Sequence, residues 1–141
     1  MASRLTGRTV GEYAVAMAQR ILLIEDSDDF RQIVSHYLGT HGYSVTTAEN
    51  GRDGLAKARA EAFDLIITDL MLPILGGYEI CTLLKQDSRY SSVPILVLTA
   101  SKLQPKDRDL AVECGANDFC PKSLEPQALL EKVRELLAPH D

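Results

Sequence analysis

Short apolar runs alternate with amphipathic segments five times between Arg20 and Leu137. Positions 21–24, 65–67 and 95–98 show no polar alternation, which is typical of parallel strands covered by helices on both faces. Polar alternation in the second run, and Pro121 directly after the fifth, place those two strands at the sheet edges. The five predicted strands are Ile21–Glu25, Ser44–Ala48, Leu65–Thr68, Ile95–Thr99 and Asn117–Cys120.

The segments between the strands have the spacing of helices packed on a sheet. Apolar residues recur three and four positions apart, at Phe30, Ile33, Val34, Tyr37 and Leu38, at Ile80, Leu83 and Leu84, at Leu110, Ala111 and Cys114, and at Leu129, Leu130, Val133, Leu136 and Leu137. Residues 51–61 favour a helix mainly through their alanine and leucine content. The sequence therefore predicts a (βα)₅ fold of the α/β class, with one parallel sheet and right-handed crossovers.

Composition limits the kind of protein further. The 141 residues are 45% hydrophobic and 25% charged, as in an ordinary globular domain, and the net charge of −5 argues against nucleic acid as the main partner. Cys81, Cys114 and Cys120 lack metal-ligand spacing and are expected to be reduced thiols in a cytoplasmic protein. No apolar run is long enough to cross a bilayer, so no membrane partner is expected.

The chain is expected to divide into three parts. Residues 1–19 carry two arginines and a short apolar patch, and we expect a flexible N-terminal extension or an added leader sequence here. Glu12 directly precedes the patch and disfavours a signal peptide. Residues 20–138 form the folded domain, and residues 139–141 form a short tail.

Five polar residues follow the apolar runs, at the end where parallel strands open a ligand crevice. They are Glu25, Asp26, Asp69, Thr99 and Lys122. Two adjacent acids directly after a buried strand repel each other unless a cation lies between them. Carboxylate oxygens together with water are the ligands that Mg²⁺ prefers. An aspartate can attack phosphorus to form an acyl phosphate, while a hydroxyl and an ammonium bind phosphoryl oxygens. The set predicts metal-dependent phosphoryl chemistry.

Each of these residues also has a purely structural interpretation. Glu25 and Asp26 fit a helix N-cap with first-turn charge, and Asp69 fits an Asx-turn. Threonine is common in strands, and Lys122 fits a solvated lysine. The joint placement of all five favours function, and His36, His41 and His140 are not required for it.

Residues 20–137 resemble the receiver domain of two-component response regulators, the family that includes the bacterial chemotaxis regulator. Four stretches carry the resemblance in the family's order and spacing: Ile21-Leu22-Leu23-Ile24-Glu25-Asp26, Asp69-Leu70-Met71-Leu72-Pro73 with Gly76-Gly77, Leu98-Thr99-Ala100, and Gly115-Ala116-Asn117-Asp118-Phe119 before Lys122. The resemblance implies a flavodoxin-like, doubly wound sheet with the strand order 2-1-3-4-5.

The resemblance also implies the roles of the acidic residues. Asp69 would be the phosphoacceptor, taking its phosphoryl group from a phosphohistidine on a sensor histidine kinase or a histidine phosphotransfer protein. Mg²⁺ or Mn²⁺ would be bound by Asp26, Asp69 and the backbone carbonyl of Met71, with Glu25 acting mostly through water. The domain would assist its own phosphorylation and dephosphorylation rather than act as an enzyme on another substrate.

The remaining residues belong to the switch that the resemblance implies. Thr99 and Lys122 would bind the phosphoryl oxygens, and Phe119 would be a switch aromatic whose orientation follows Thr99. Phosphorylation would remodel the face formed by the fourth helix, fifth strand and fifth helix. Output would pass to a downstream protein target through this face, including a phosphorylation-dependent homodimer, without direct nucleic-acid contact.

Two positions depart from the family pattern. Glu25 stands where a second aspartate is commoner, which is a mild change. Ser123 stands where the family has a proline after the lysine, with a cis bond between them. A cis Lys122–Ser123 bond would cost about 2.5–4 kcal/mol. We nevertheless expect it to be cis, because the family loop needs the lysine turned inward.

Three alternatives remain open at the level of sequence. Asp26-Ser27-Asp28 resembles the nucleophile motif of haloacid-dehalogenase-type phosphatases, although Phe30 stands where that motif has Thr or Val. A flavodoxin-like binding module needs Gly, Ser and Thr after the first strand, where acidic residues instead repel a phosphate. A receiver acting as an unphosphorylated scaffold is disfavoured by the intact acidic set, while Ser123 allows it.

Overall fold

The computed structural model describes residues 18–100, 104–123 and 125–138. The expected N-terminal extension lies outside these ranges except for residues 18 and 19, and the expected tail, residues 139–141, lies wholly outside them. Strands and helices alternate along the described chain. No helix in the described ranges has the length and apolar character needed to span a membrane.

The described chain contains five parallel strands and five helices. Strands β1 to β5 are Arg20–Ile24, Ser44–Ala48, Leu65–Asp69, Ile95–Thr99 and Asp118–Pro121; helices α1 to α5 are Asp28–Thr40, Gly51–Ala60, Gly77–Gln86, Pro105–Glu113 and Pro126–Leu137. The strand order is β2-β1-β3-β4-β5, and every pairing is parallel. The predicted fold class, strand order and edge positions of β2 and β5 are confirmed.

The sheet separates two apolar layers. Alternate residues of a strand point to opposite faces, so Leu22 and Ile24 of β1 belong to one layer while Ile21 and Leu23 belong to the other. Side chains of α2, α3 and α4 complete the first layer, and those of α1 and α5 complete the second. The central strands are therefore buried on both faces, which explains why their sequences lack polar alternation.

Local signals set the ends of the helices. The side chain of Ser27 caps α1 by accepting a hydrogen bond from the backbone N–H three residues further on, at 3.3 Å. Pro105 and Pro126 stand in the first turns of α4 and α5, where a missing N–H costs nothing. Gly42 and Gly115 follow α1 and α4 with φ of 94° and 92°, a conformation that glycine adopts without strain.

Two apolar positions of the predicted helix faces are exposed instead: Ile33 on α1 and Leu83 on α3, the latter 38% exposed. Ile33 was expected on the buried side of α1, but its side chain is 59% exposed. The buried side of this helix is instead formed by Arg31, Val34 and Leu38. The buried residues of α1 are still three and four positions apart, but the first of them is an arginine.

Candidate functional site

The strand ladder carries the predicted site residues to one edge of the sheet. The backbone N–H of Glu25 donates to the carbonyl oxygen of Ala48 at 3.0 Å, so β1 stays paired with β2 up to the acidic loop. At the other side, the N–H of Lys122 donates to the carbonyl oxygen of Thr99 at 3.1 Å. The polar side chains that follow β1, β3, β4 and β5 are thereby held at the carboxyl end of the sheet.

Three carboxylates meet at this edge. Glu25, Asp26 and Asp69 each offer an oxygen atom, and these atoms all lie within 4.8 Å of one another. Glu25 is fully buried, Asp69 is nearly so, and Asp26 is exposed to solvent. Carboxylate oxygens are the ligands that small, hard dications prefer, so this group of oxygens could hold one metal ion.

The ammonium of Lys122 bridges two of these carboxylates. Its Nζ lies 2.6 Å from Oε1 of Glu25 and 2.6 Å from Oδ2 of Asp69. The ring centroid of Phe30 is 5.4 Å from the same nitrogen, which suits a cation–π contact. The cluster therefore brings together three acids and one base.

The expected cis bond between Lys122 and Ser123 is wrong. No peptide bond within the described ranges is cis. The ladder bond to Thr99 already fixes the backbone of Lys122 beside the crevice, and the four-carbon side chain spans the remaining distance. The inward position of the lysine is thus reached without the roughly 2.5–4 kcal/mol that a cis bond outside proline costs.

Glu25 and Lys122 affect each other's protonation. Burial raises the pKa of Glu25, and the hydrogen bond with Asp26 and the charge of Asp69 add to this, against the opposing effect of Lys122. Burial alone would lower the pKa of Lys122, but its hydrogen bonds to Asp69 and Glu25 outweigh burial and raise it. The lysine is therefore a firmly charged ammonium at neutral pH, and the buried glutamate depends on nearby positive charge.

The hydroxyl of Thr99 is buried without a partner. Thr99 is 1% exposed, and its Oγ1 makes no hydrogen bond within the described part of the chain. Buried hydroxyls usually have a partner, as Thr68 does by donating to the carbonyl oxygen of Asp69 at 3.2 Å. The end of β4 thus presents a donor with unused hydrogen-bonding capacity.

The loop after β3 holds Asp69 in place. Its Oδ1 accepts a hydrogen bond from the N–H of Met71 at 3.1 Å, and the carbonyl oxygen of Leu70 accepts one from the N–H of Gly77 at 3.0 Å. A Cβ at position 77 would lie 2.1 Å from the carbonyl oxygen of Asp69. Glycine is therefore required for α3 to begin this close to the carboxylate.

Sequence reasoning missed Arg31. This arginine is 8% exposed, and its Nη1 donates to the carbonyl oxygen of Glu25 at 2.9 Å. Its Nη2 pairs with Asp28 and lies 3.8 Å from Oε1 of Glu49. Arg31 thus connects the backbone at Glu25 to α1 and to the residue that follows β2. The only sign of this in the sequence is its spacing, because Arg31 stands three residues before the buried Val34.

The remaining residues named from the sequence lie outside this cluster. Phe119 is half-buried on β5, and the guanidinium of Arg108 lies 5.6 Å from its ring centroid. Met71 exposes its side chain beside Asp69. His36 is exposed on α1, and His41 follows that helix at the opposite end of the sheet. His140 lies outside the described residues.

Residues 21–134 match the family model described as the response regulator receiver domain. The chain belongs to this family. It is the receiver domain of a response regulator in a two-component system, and the predicted family is confirmed.

The curated relatives of this receiver domain are longer proteins. It is 37% identical over 121 residues to the alkaline phosphatase synthesis transcriptional regulatory protein PhoP of Bacillus subtilis, a match covering 86% of this chain and 49% of PhoP. It is 36% identical over 118 residues to the response regulator ArlR of Staphylococcus aureus, covering 84% of this chain and 52% of ArlR. The chain spans about half the length of these relatives.

Solved structures of similar receivers share the whole fold. The chemotaxis response regulator CheY4 of Vibrio cholerae is 35% identical with a TM-score of 0.80, covering 86% of this chain and 100% of CheY4. The receiver domain of the sensor histidine kinase PA1611 from Pseudomonas aeruginosa is 30% identical with a TM-score of 0.79, covering 86% and 99%. The latter is described with a magnesium ion coordinated in its active site cleft.

Proposed function

We propose that this receiver domain accepts a phosphoryl group from a phosphohistidine onto the carboxylate of Asp69, in a reaction that depends on Mg²⁺ or Mn²⁺. One observation carries the proposal. The ammonium of Lys122 lies 2.6 Å from the carboxylates of both Asp69 and Glu25, inside a cluster of three acids. In the transfer, an oxygen of Asp69 bonds to phosphorus while the bond from phosphorus to the histidine nitrogen breaks.

The acids supply the ligands for the dication. Asp26 and Asp69 would bind it directly, Glu25 mostly through water, and the backbone carbonyl of Met71 would complete the protein's share. When bound, the dication offsets the charge of the carboxylates and of the phosphoryl group in transit. Support comes from the spacing of the carboxylate oxygens and from the burial that raises the pKa of Glu25.

Lys122 and Thr99 bind the transferred group. Lys122 pairs with Oδ2 of Asp69 before transfer, and afterwards its ammonium binds a phosphoryl oxygen as a point charge. The buried hydroxyl of Thr99, which lacks a partner among the described residues, donates to another phosphoryl oxygen. The crevice thus stabilises the phosphorylated state by hydrogen bonds that the unmodified protein does not make.

These new bonds drive the switch. Moving a two-state protein from mostly off to mostly on needs about 5 kcal/mol of differential binding. Two or three charge-assisted hydrogen bonds of about 1.5–3 kcal/mol each supply this amount. Displacement of Thr99 towards the phosphoryl group lets Phe119 turn inward, and the face formed by α4, β5 and α5 changes shape as a result.

The partners follow from this chemistry. The phosphodonor is a sensor histidine kinase or a histidine phosphotransfer protein, and the target is a protein, or a second copy of this domain, that binds the remodelled face of α4, β5 and α5. This domain itself, with a net charge of −5, makes no direct nucleic-acid contact. PhoP is a transcriptional regulatory protein, but the match covers 49% of its length.

The phosphatase alternative has less support. It requires Asp26 as the nucleophile, and this residue is exposed to solvent. The lysine that would steady a transferred phosphoryl group contacts Asp69 and Glu25 instead. The geometry therefore favours Asp69 as the attacking carboxylate.

Labelling with acetyl phosphate tests the proposal. In the presence of Mg²⁺ the intact protein gains the mass of one phosphoryl group, and chelation of the metal reduces labelling to background. Asp69→Asn abolishes the gain, because an amide oxygen is too weak a nucleophile to attack phosphorus. Asp109→Asn, a matched change at an exposed position on α4, leaves it intact. Undiminished labelling of Asp69→Asn refutes the assignment.

A further inference from the structure

Two buried thiols meet where α3 packs against the end of α4. Cys81 lies in the middle of α3 and is fully buried, and Cys114 directly follows α4 with 4% of its surface exposed. The Cys81 thiol donates to the carbonyl oxygen of Cys114 at 3.2 Å, although 33 positions separate them. The Cys114 thiol in turn donates to the carbonyl oxygen of Ala111 at 3.2 Å. The carboxylate cluster uses neither of them.

We propose that Cys81 and Cys114 form an oxidisable dithiol, which a peroxide converts into an intramolecular disulfide joining α3 to the end of α4. The proposal stands on the placement of the two sulfur atoms and does not depend on phosphorylation of Asp69.

A second contact joins α3 to the end of α4. Besides the cysteine contact, the hydroxyl of Tyr78 donates to Oε1 of Glu113 at 2.9 Å, one helical turn before Cys81 and one residue before Cys114. A disulfide needs a sulfur–sulfur distance of about 2.05 Å and Cβ atoms about 3.8 Å apart. The Cys81 sulfur already lies 3.2 Å from the Cys114 carbonyl oxygen, and rotation of the two side chains is the movement that would bring the sulfurs to this geometry.

The two thiols differ in acidity, which assigns their roles. The neighbouring Cys81 thiol lowers the pKa of Cys114 to about 7 despite burial. The Cys114 thiol, together with burial, raises the pKa of Cys81. The ammonium of Lys85 lies close enough to interact with both sulfurs. Cys114 is therefore the thiolate that attacks the oxidant, and Cys81 is the thiol that resolves the product.

The chemistry balances with one peroxide molecule. The Cys114 thiolate attacks an oxygen of hydrogen peroxide and the O–O bond breaks. The departing hydroxide takes up the proton that Cys114 released on ionising and forms water, leaving a sulfenic acid. The Cys81 sulfur then attacks the Cys114 sulfur and displaces hydroxide, which takes the Cys81 proton to form a second water. Both sulfurs are oxidised, the peroxide is reduced, and the disulfide bond forms.

Cys120, the third cysteine, serves as an internal control for the oxidation of Cys81 and Cys114. Cys120 lies on β5 and packs in the apolar layer of α1 and α5, whereas Cys81 and Cys114 pack in the opposite layer. Burial raises the pKa of Cys120 to about 11. The sheet thus separates this thiol from the pair, and its low acidity makes it a poor nucleophile.

Thiol mapping of the folded, full-length chain after hydrogen peroxide treatment tests the proposal. Remaining thiols are alkylated under denaturing conditions, and the peptides are identified by mass. We expect a linked Cys81–Cys114 peptide, a mass loss of about 2 Da, and Cys114 oxidised at least about tenfold faster than Cys120. The oxidised protein should also melt at a higher temperature, because the link closes a loop in the unfolded chain.

Two variants sharpen the result. Cys120→Ser should still form the linked peptide, while Cys114→Ser should leave Cys81 alkylatable. If all three thiols of the unaltered protein remain alkylatable after peroxide treatment, or if Cys120 enters the disulfide, the proposal is overturned. Mapping of the unaltered chain decides the question even if a serine variant fails to fold.

Discussion

At the scale of single residues, two buried threonines near the ends of neighbouring strands differ in their hydrogen bonding. Thr68 donates its hydroxyl proton to the carbonyl oxygen of Asp69, whereas the hydroxyl of Thr99 has no partner within the described residues. A buried polar group without a partner costs about 1–3 kcal/mol. Valine would fill a similar volume without leaving a hydroxyl unpaired, and this supports the proposed role of Thr99 in binding a phosphoryl oxygen.

Replacing each threonine with valine distinguishes the two roles. Thr99→Val should leave the free energy of unfolding unchanged or raise it by about 1 kcal/mol, because no described hydrogen bond is lost. Its rate of labelling by acetyl phosphate should nevertheless fall at least about tenfold, since a donor to the phosphoryl group is gone. Denaturant unfolding and intact-mass kinetics measure the two effects.

Thr68→Val is the matched control. It should lower the free energy of unfolding by about 1 kcal/mol, because it removes an existing hydrogen bond, and it should affect labelling less than Thr99→Val does. A Thr99→Val protein that is strongly destabilised, or that is labelled at the original rate, would show that this hydroxyl is structural.

The residue scale is also where sequence reasoning fell short. Hydrophobic spacing treats arginine as a solvent-facing residue, so the buried Arg31 was missed and the exposed Ile33 was assigned to the core. The bond after Lys122 was expected to be cis by analogy with the family's proline, although the ladder bond to Thr99 makes this unnecessary. Both errors concern contacts between residues that are distant in sequence, and the spacing of apolar residues along the chain does not reveal such contacts.

At the scale of elements, glycine controls how closely α3 approaches the end of β3. A Cβ added at Gly77 would lie 2.1 Å from the carbonyl oxygen of Asp69 and 2.9 Å from the Cα of Leu70. These contacts are with backbone atoms, which have no rotamer by which to move aside. The start of α3 and the loop that carries Asp69 therefore form one closely packed unit.

Gly77→Ala and Gly39→Ala form a matched pair of helix substitutions. Gly77→Ala should lower the free energy of unfolding by about 2–4 kcal/mol, because the backbone must shift to relieve the overlap. Gly39→Ala should raise it by up to about 1 kcal/mol, since a Cβ at this position in α1 meets nothing within 4 Å and alanine favours helix. Chemical denaturation of both variants measures the difference; equal effects would contradict this account of α3.

The elements themselves were largely predictable. Apolar runs located all five strands, and glycine and proline located several helix ends, because these signals act within a few residues of chain. Some boundaries moved outward because pairing extends further than the apolar run, whereas β1 ends one residue before the predicted Glu25 and β5 begins one residue after the predicted Asn117. Asp69 remains paired with Leu98 and so belongs to β3, and Pro121 stays opposite Thr99 in β5. Such extension depends on the neighbouring strand rather than on the local sequence.

At the scale of the whole molecule, the proposed output face crosses the sheet edge. Helix α4 packs in one apolar layer, α5 packs in the other, and β5 lies at the edge between them. Phe119 on β5 has the guanidinium of Arg108 on α4 beside its ring. A movement that begins at Thr99 on the adjacent strand can therefore reach both layers through a single edge strand.

Beryllofluoride, which mimics the phosphoryl group, should reveal this movement. Adding it with Mg²⁺ should change the backbone amide chemical shifts of α4, β5 and α5 as well as those around Asp69, because Thr99 and Phe119 change position together. Shifts in α2 and at the distant edge strand β2 should change least. Heteronuclear NMR makes the comparison, and changes confined to the loop after β3 would contradict the proposed switch.

The ladder bond from the Lys122 amide to the Thr99 carbonyl has a consequence for how the protein tolerates insertions. It fixes the backbone positions of Thr99 and Lys122 relative to each other, at the edge of the sheet where the Lys122 ammonium meets Asp69. Lengthening the chain by one residue between Cys120 and Lys122 would flip the alternation of side chains there. The lysine side chain would point away from Asp69 while both apolar layers stayed intact. The domain would then fold but would not bind a phosphoryl group on Asp69 through this lysine.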